Sequence, residues 1–282
     1  MGVTVWIRDK LFKRPRAIPV GVDFLELAAR QEDACEATTA SRIRHLGKQA
    51  PACFENLGTV LSLLDRVGSC FWGCRGGDHI LEALAGRVCS SSRAALRLLQ
   101  FGFYDESLSL SRSIGEIANL LLLFNQEAEA FREWQQLDEQ RRKRRFSPAA
   151  VRLHLEKIER DKSIDLHLLT VDRQQYGALS EVATHPTPQT KPQVHNPLEA
   201  PCLGGVFQEA GVVVALQELA EATARATIPL PKLLGYDDSR RDEIRQAAAV
   251  LLSSVGRLKV LNERELFAAM RMRRQEEERP KE

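Results

Sequence analysis

Aromatic side chains are scarce, at 6% of the 282 residues, with three tryptophans and three tyrosines among them. So thin a supply leaves no aromatic ladder of the kind on which single-stranded nucleic acid stacks. An excess of one charge is missing too, since 40 Lys and Arg face 38 Asp and Glu for a net +2. No global field draws the chain to nucleic acid or to a membrane surface, and any such binding has to come from a local patch. No apolar run approaches the roughly 18 residues that a membrane span requires, so no transmembrane segment is expected. Six cysteines are few for this length, and no secretory apolar stretch opens the sequence. Reduced thiols in a cytoplasmic setting are expected, rather than a disulfide frame. There is no nucleotide-phosphate loop, nucleophile elbow or HExxH motif, and the glycine pairs of CRGG and CLGG have nothing behind them. Repeats and a convincing set of strands are absent as well.

What the chain does have is helical periodicity, strongest over 101–124, FGFYDESLSLSRSIGEIANLLLLF. Leu110, Ile114, Ile117, Leu121 and Phe124 recur at 3-4 spacing and fall on one stripe at 100° per residue. Leu108, Leu120, Leu122 and Leu123 fill most other directions, and a helix apolar nearly all round belongs inside a bundle. Asp105 is the expected N-cap, with Glu106 complementing the positive helix start. Gly115 costs helix propensity but lets a neighbouring helix approach closely. Arg112 and Glu116 lie one turn apart, away from the main stripe, with Asn119 beside them. Two readings stay open for that pair: an i,i+4 ion pair on a half-buried surface, or a polar core that acts as a site.

In chain order, the first sixteen residues mix Val3, Trp6, Ile7, Leu11 and Phe12 with five cations. They read as an arm that packs on the domain, or else as a basic amphipathic surface-seeking segment. Trp6 stands where a myristoylation signal wants Ser or Thr. Helices are expected over 23–49, 51–68 and 78–100, with a turn-rich insert between the second and third and Gly102 closing the third. Helix resumes over 125–138, and Ser147-Pro148 starts another as N-cap and first-turn residue, reaching about Arg160. A further helix is expected over 163–184. Residues 185–205 are proline-rich and irregular; helices follow near 206–227 and 238–257, parted by the turn at Pro229 to Pro231. The charged tail from Arg271 frays.

Two local clusters invite chemistry. Arg141, Arg142, Lys143, Arg144 and Arg145 form the one dense charge run, which can hold phosphates of a nucleic acid or serve as a solvated helix end complementing the dipole. Cys70-x3-Cys74, with Asp78 and His79 close by, offers four metal ligands within ten residues. Zinc sites pair such a half with a second, separated one; here that second half is a weak Asp-His, which Cys53 or Cys89 would have to assist. Small thiols near Trp72 are the expected state, and no metal or other cofactor is assigned.

The segments LRLLQFGFYDESLSLSRSIGEIANLLLLF, FSPAAVRLHL and YGALSEVATHP together are similar to an uncharacterised bacterial helical family. Its pattern is a Leu-rich helix, a Gly-x-Tyr-x-Glu-(Ala/Ser)-Leu turn, an Arg-Ser-(Leu/Ile)-x-Glu helix and a later Tyr-x2-Leu-Ser with His-Pro. That family resembles the HEPN (higher eukaryotes and prokaryotes nucleotide-binding) superfamily, whose active members are metal-independent ribonucleases of toxin and antiphage systems. The likeness spans about 78–188. It falls on Tyr104, Glu106, Arg112, Glu116, Tyr176, Ser180 and His185. Ribonuclease members carry Arg four to six residues before His, where this chain has Ser180; Arg112 would then have to supply the cation in space. Arg160-Asp161 followed by His167 is a formal match of the kind that chance produces. On its own residues, His185 reads equally as a helix C-cap blocked by Pro186.

The resemblance implies an all-α, HEPN-like helical bundle over 23–185. An N-terminal arm (1–22) precedes it, and a proline-rich loop (186–205) and a helical C-terminal extension (206–282) follow. It implies an RNA- or nucleotide-associated, ribonucleolytic activity in which His185 is the general base, Arg112 steadies phosphate, Glu116 orients Arg112, and Tyr176 and Ser180 donate hydrogen bonds. A homodimer fits that picture. The alternative is a non-catalytic interaction module, with the same polar residues as a structural network and a protein partner docked on the basic run or the proline loop.

Overall fold

The computed structural model describes residues 20–46, 49–74, 77–171, 173–183 and 204–255. The N-terminal arm up to residue 19, His185, the proline-rich stretch through 203 and the charged tail lie outside them. Eleven α-helices and one 3-10 turn are present among the described residues, with no strand. They are α1 (Val22–Arg42, followed by the 3-10 turn Ile43–His45), α2 (Gln49–Gly68), α3 (Ile80–Gln100), α4 (Tyr104–Gln126) and α5 (Ala128–Gln136). Then come α6 (Glu139–Arg145), α7 (Pro148–Lys162), α8 (Arg173–Ala183), α9 (Glu209–Thr227), α10 (Leu230–Leu233) and α11 (Asp238–Val255). The all-α class is as the periodicity predicts, and among the described residues no helix is long and apolar enough to cross a membrane.

Helix α4 is the axis of the bundle. It packs on α3 and α9 along one side and on α7 and α8 along the other, while α2 and α11 complete the layer behind α3 and α9. Ile114, Ala118, Leu121 and Leu123 are fully enclosed. Each large aliphatic side chain so placed contributes about 1.5–3 kcal/mol relative to exposure. At its C-terminal end Phe124 meets the rings of Phe131, Trp134 and Phe146 at 5.0, 5.6 and 6.4 Å. This aromatic knot turns the chain through α5 and α6 back toward α7. The helix expected over 125–138 is therefore broken, because Glu127 adopts an extended conformation before α5 begins.

Three further differences from the sequence expectations have physical causes. Asp105 lies in the first turn rather than capping α4. The start is fixed instead by Tyr104, buried beneath α9, whose hydroxyl accepts from the Gln208 N–H at 2.9 Å. Tyr104 thus serves the fold, and burial holds its phenol far above the ordinary range. Next, 163–171 is not helical. Ser163 turns left-handed (φ 50°) and ends α7. Asn119 of α4 then captures the backbone of Val171, donating to its carbonyl at 3.0 Å and accepting from its N–H at 2.9 Å. The close approach that Gly115 permits is made by this loop rather than by a helix: a Cβ there would stand 3.0 Å from Val171 Cγ2.

Finally, the stretch expected as an extension supplies α9 to the middle of the core. Leu216, Leu219, Ala220 and Ala224 are completely buried, in one apolar cluster with α2, α3 and α4. A buried hydrogen bond of 2.9 Å between Ser92 and Thr223 joins α9 to α3. The proline-rich stretch interrupts the sequence pattern at 185–205, but it does not divide the core.

Candidate functional site

Arg112 and Glu116 occupy successive turns of α4 on the side facing α7 and α8, 3.2 Å apart as an ion pair. Only 12% of the Arg112 side chain and 30% of Glu116 is exposed. Tyr176, near the start of α8, completes the group. Arg112 Nη2 donates to the Tyr176 hydroxyl, which donates in turn to Glu116 Oε1 at 2.9 Å. The loop pinned by Asn119 and Val171 sets where α8 begins, so one side chain of α4 positions the partner of two others. Burial raises the Tyr176 pKa above the ordinary phenol value and the bond to Glu116 raises it further, while the guanidiniums oppose this. The phenol is held as a proton donor to the carboxylate.

Arg152 of α7, which the sequence analysis did not single out, also belongs here. Its guanidinium carbon lies 4.1 Å from the Tyr176 ring centroid, and that of Arg112 lies 4.3 Å from it. Each such cation–ring contact contributes about 0.5–2 kcal/mol, more as water is excluded. Arg152 Nη1 is shielded from solvent and has no hydrogen-bond partner among the described residues. Its position is the one mark it carries in the sequence, and position alone does not link it to Arg112. Val151, Leu155 and Ile158 are the buried stripe of α7, and Arg152 sits at the edge of that stripe, within the segment FSPAAVRLHL.

A second polar group braces α8 from the other side. Gln175 donates to Glu218 at 2.7 Å and to Glu221 at 3.3 Å, and accepts from Arg225 at 2.7 Å. Arg225 is itself paired with Glu221 at 3.1 Å. This network fixes the register of α8 against α9 and with it the height of Tyr176.

Of the other candidate residues, Ser180 lies on α8 one turn beyond Tyr176, with its side chain outside the described atoms. His185 follows two residues after the end of α8 and also lies outside. Glu106 is exposed in the first turn of α4. The basic run forms α6, capped by Asp138, whose carboxylate accepts from the Arg141 N–H at 2.9 Å. Arg141 and Lys143 pair with Asp138 and Glu139, Arg142 stacks over Trp134, and Arg144 is exposed. Arg145 turns inward to Glu133 at 3.3 Å and to His154 Nδ1 at 3.1 Å. A guanidinium can only donate, so Nδ1 accepts and the His154 proton sits on Nε2, which faces Glu127 at 3.0 Å. Both ring nitrogens of His154 are thereby engaged in strapping α7 to α5 and α6. Cys70, Cys74 and His79 come together with their ligand atoms within 4.8 Å of one another. Asp78 does not join them; its carboxylate accepts from the Ile80 N–H and from Gln135.

The site's chemistry follows from its charge. Among the described residues, two guanidiniums and one carboxylate surround a neutral phenol, and the buried Nη1 of Arg152 has no acceptor. That arrangement suits an anionic oxygen ligand. Comparison with known proteins finds no match: no family model, no curated protein and no solved structure is similar to this chain at a significant level.

Proposed function

We propose that this protein is RNA- or nucleotide-associated, with Arg112 and Arg152 as its phosphate-holding pole and ribonucleolytic activity through His185. The observation that carries the reading is the meeting of Arg112, Glu116 and Tyr176. Tyr176 stands 60 positions after Glu116 and 64 after Arg112, all three lie in the segments that resemble HEPN-like proteins, and they share one hydrogen-bonded cluster. Arg152 adds a second guanidinium to it. In this reading Glu116 and Tyr176 orient Arg112, and the Nη1 of Arg152, which has no partner among the described residues, takes a phosphate oxygen. His185, close after α8 in the chain, acts as general base on a ribose 2′-hydroxyl, a task that suits the imidazole side chain as a class.

The test is cleavage of labelled RNAs of varied sequence by the purified protein. His185→Ala is expected to abolish cleavage while leaving the far-ultraviolet spectrum and melting curve near those of the parent. The residue before a proline is disfavoured in the helical conformation, so the substitution should remove a proton carrier without removing helix. Undiminished cleavage by His185→Ala contradicts the assignment of the base. RNA left intact by the parent, with and without added partners, favours the interaction module instead.

A further inference from the structure

The connection between α2 and α3 is built unlike an ordinary helix-to-helix loop. Helix α2 ends in a two-bond terminator, with Phe71 N–H bonded to Arg66 O at 2.9 Å and Cys70 N–H bonded to Val67 O at 3.1 Å. The residue in the left-handed position of that terminator is normally glycine. Here it is Cys70, at φ 55°. On the far side of the loop His79 precedes α3 and is also left-handed, at φ 53°. Ser163 is the one other non-glycine residue with positive φ among the described residues, so two of the three such positions lie in this loop. Side chains held against their conformational preference point to a role for the side chains themselves.

The two helix ends are brought together by small residues. A Cβ on Gly68 would stand 2.7 Å from the Gly86 Cα, so α2 and α3 touch backbone to backbone just below the loop. Trp72 pins the loop from beneath, edge-on to Tyr236 at 5.7 Å, with Arg66 and Arg240 over its ring. The result is a preorganised cluster at the surface. Cys70 Sγ lies 3.5 Å from His79 Nδ1, and Cys74 Sγ lies within 4.8 Å of both. Two ligands on one tetrahedral zinc ion, with Zn–S of about 2.3 Å and Zn–N of about 2.05 Å, stand about 3.6 Å apart. The Cys70–His79 spacing already has that value.

We propose that Cys70, Cys74 and His79 form a binding site for a zinc-like divalent cation. Two thiolates and one imidazole select a borderline-soft ion with tetrahedral preference, and three protein ligands leave a fourth position for water or for a ligand from a partner. The separated second ligand pair of common zinc motifs is replaced here by one histidine, which the Gly68–Gly86 crossing brings back to the cysteines. Binding exchanges two thiol protons for the ion and requires no redox partner.

Cobalt(II) titration of the full, reduced chain tests this, because thiolate-bound tetrahedral cobalt has a charge-transfer band and intense visible absorption. The parent is expected to take up one equivalent with that spectrum and to release it to zinc. Cys74→Ser and His79→Gln are each expected to lose the spectrum. Because both side chains are exposed, melting curves without metal should match the parent's. A reduced parent that yields no thiolate–cobalt band overturns the proposal, and so does a Cys70–Cys74 disulfide formed in air by a protein that takes up no cobalt when reduced. A band that survives in the Cys70→Ser/Cys74→Ser double variant also overturns it, since other thiols would then be the ligands.

Discussion

Leu121→Asp should unfold the protein or lower its melting temperature by about 10 °C or more, the shift that several kcal/mol produces in a domain of this size. Leu121 has no exposed surface and lies midway along α4, enclosed by the helices that pack on it. The substitution removes a large apolar side chain and places a carboxylate inside the apolar core cluster. Burying an unpaired charge is among the few single changes that cost several kcal/mol, even if the group neutralises by taking a proton. A matched control is Leu153→Asp on α7, where the leucine is 65% exposed. Surface changes of that kind stay within about 0.5 kcal/mol. Thermal melts of the two variants should therefore diverge widely. Equal melting temperatures would mean that α4 is not the axis of the fold.

Arg112→Ala is expected to weaken both the fold and the site. The side chain is nearly enclosed, and its loss strips Glu116 of a cation and the Tyr176 hydroxyl of a donor. Breaking a fully buried pair costs about 3–5 kcal/mol, but Glu116 retains some solvent, so about 2 kcal/mol is the expectation here. RNA affinity should fall roughly tenfold or more, as the loss of a charge-assisted contact to phosphate implies. Arg112→Lys should restore part of the stability but less of the affinity, because an ammonium cannot bridge the phenol, the carboxylate and a phosphate in one plane. Denaturant melts and fluorescence anisotropy with a labelled RNA measure the two effects separately.

How far the sequence could be read depended on how local each signal was. The all-round apolar pattern of α4 marked it as the buried axis, and Ser147-Pro148 marked the start of α7; the structure has Ser147 Oγ accepting from the Ala150 N–H at 3.3 Å. Both are signals within a few residues. The non-helical loop over 163–171 was hidden, because what unwinds it is the side chain of Asn119, 52 positions away. The central place of α9 was hidden for a similar reason. Its alanines and leucines look like those of any amphipathic helix, and only the fit against α3 and α4 shows which helix goes to the middle. Arg112 and Glu116 were legible as a pair because they are one turn apart. Arg152 was not, since its link to them runs through the ring of Tyr176.

Arg152 is the most direct probe of whether this cluster holds phosphate, because it stacks on Tyr176 and its Nη1 has no hydrogen-bond partner among the described residues. The measurement is the salt dependence of single-stranded RNA affinity for the parent and for Arg152→Ala, followed by anisotropy. Each phosphate neutralised on a single strand contributes about 0.7 to the slope of log affinity against log salt. Removing Arg152 is expected to lower the affinity at low salt and to flatten the slope by about 0.7, with the melting temperature lowered by only about 1–8 °C through the lost cation–ring contact. Identical affinity and slope in the two proteins would contradict the account, and the Arg112–Tyr176–Glu116 cluster would then be a structural network.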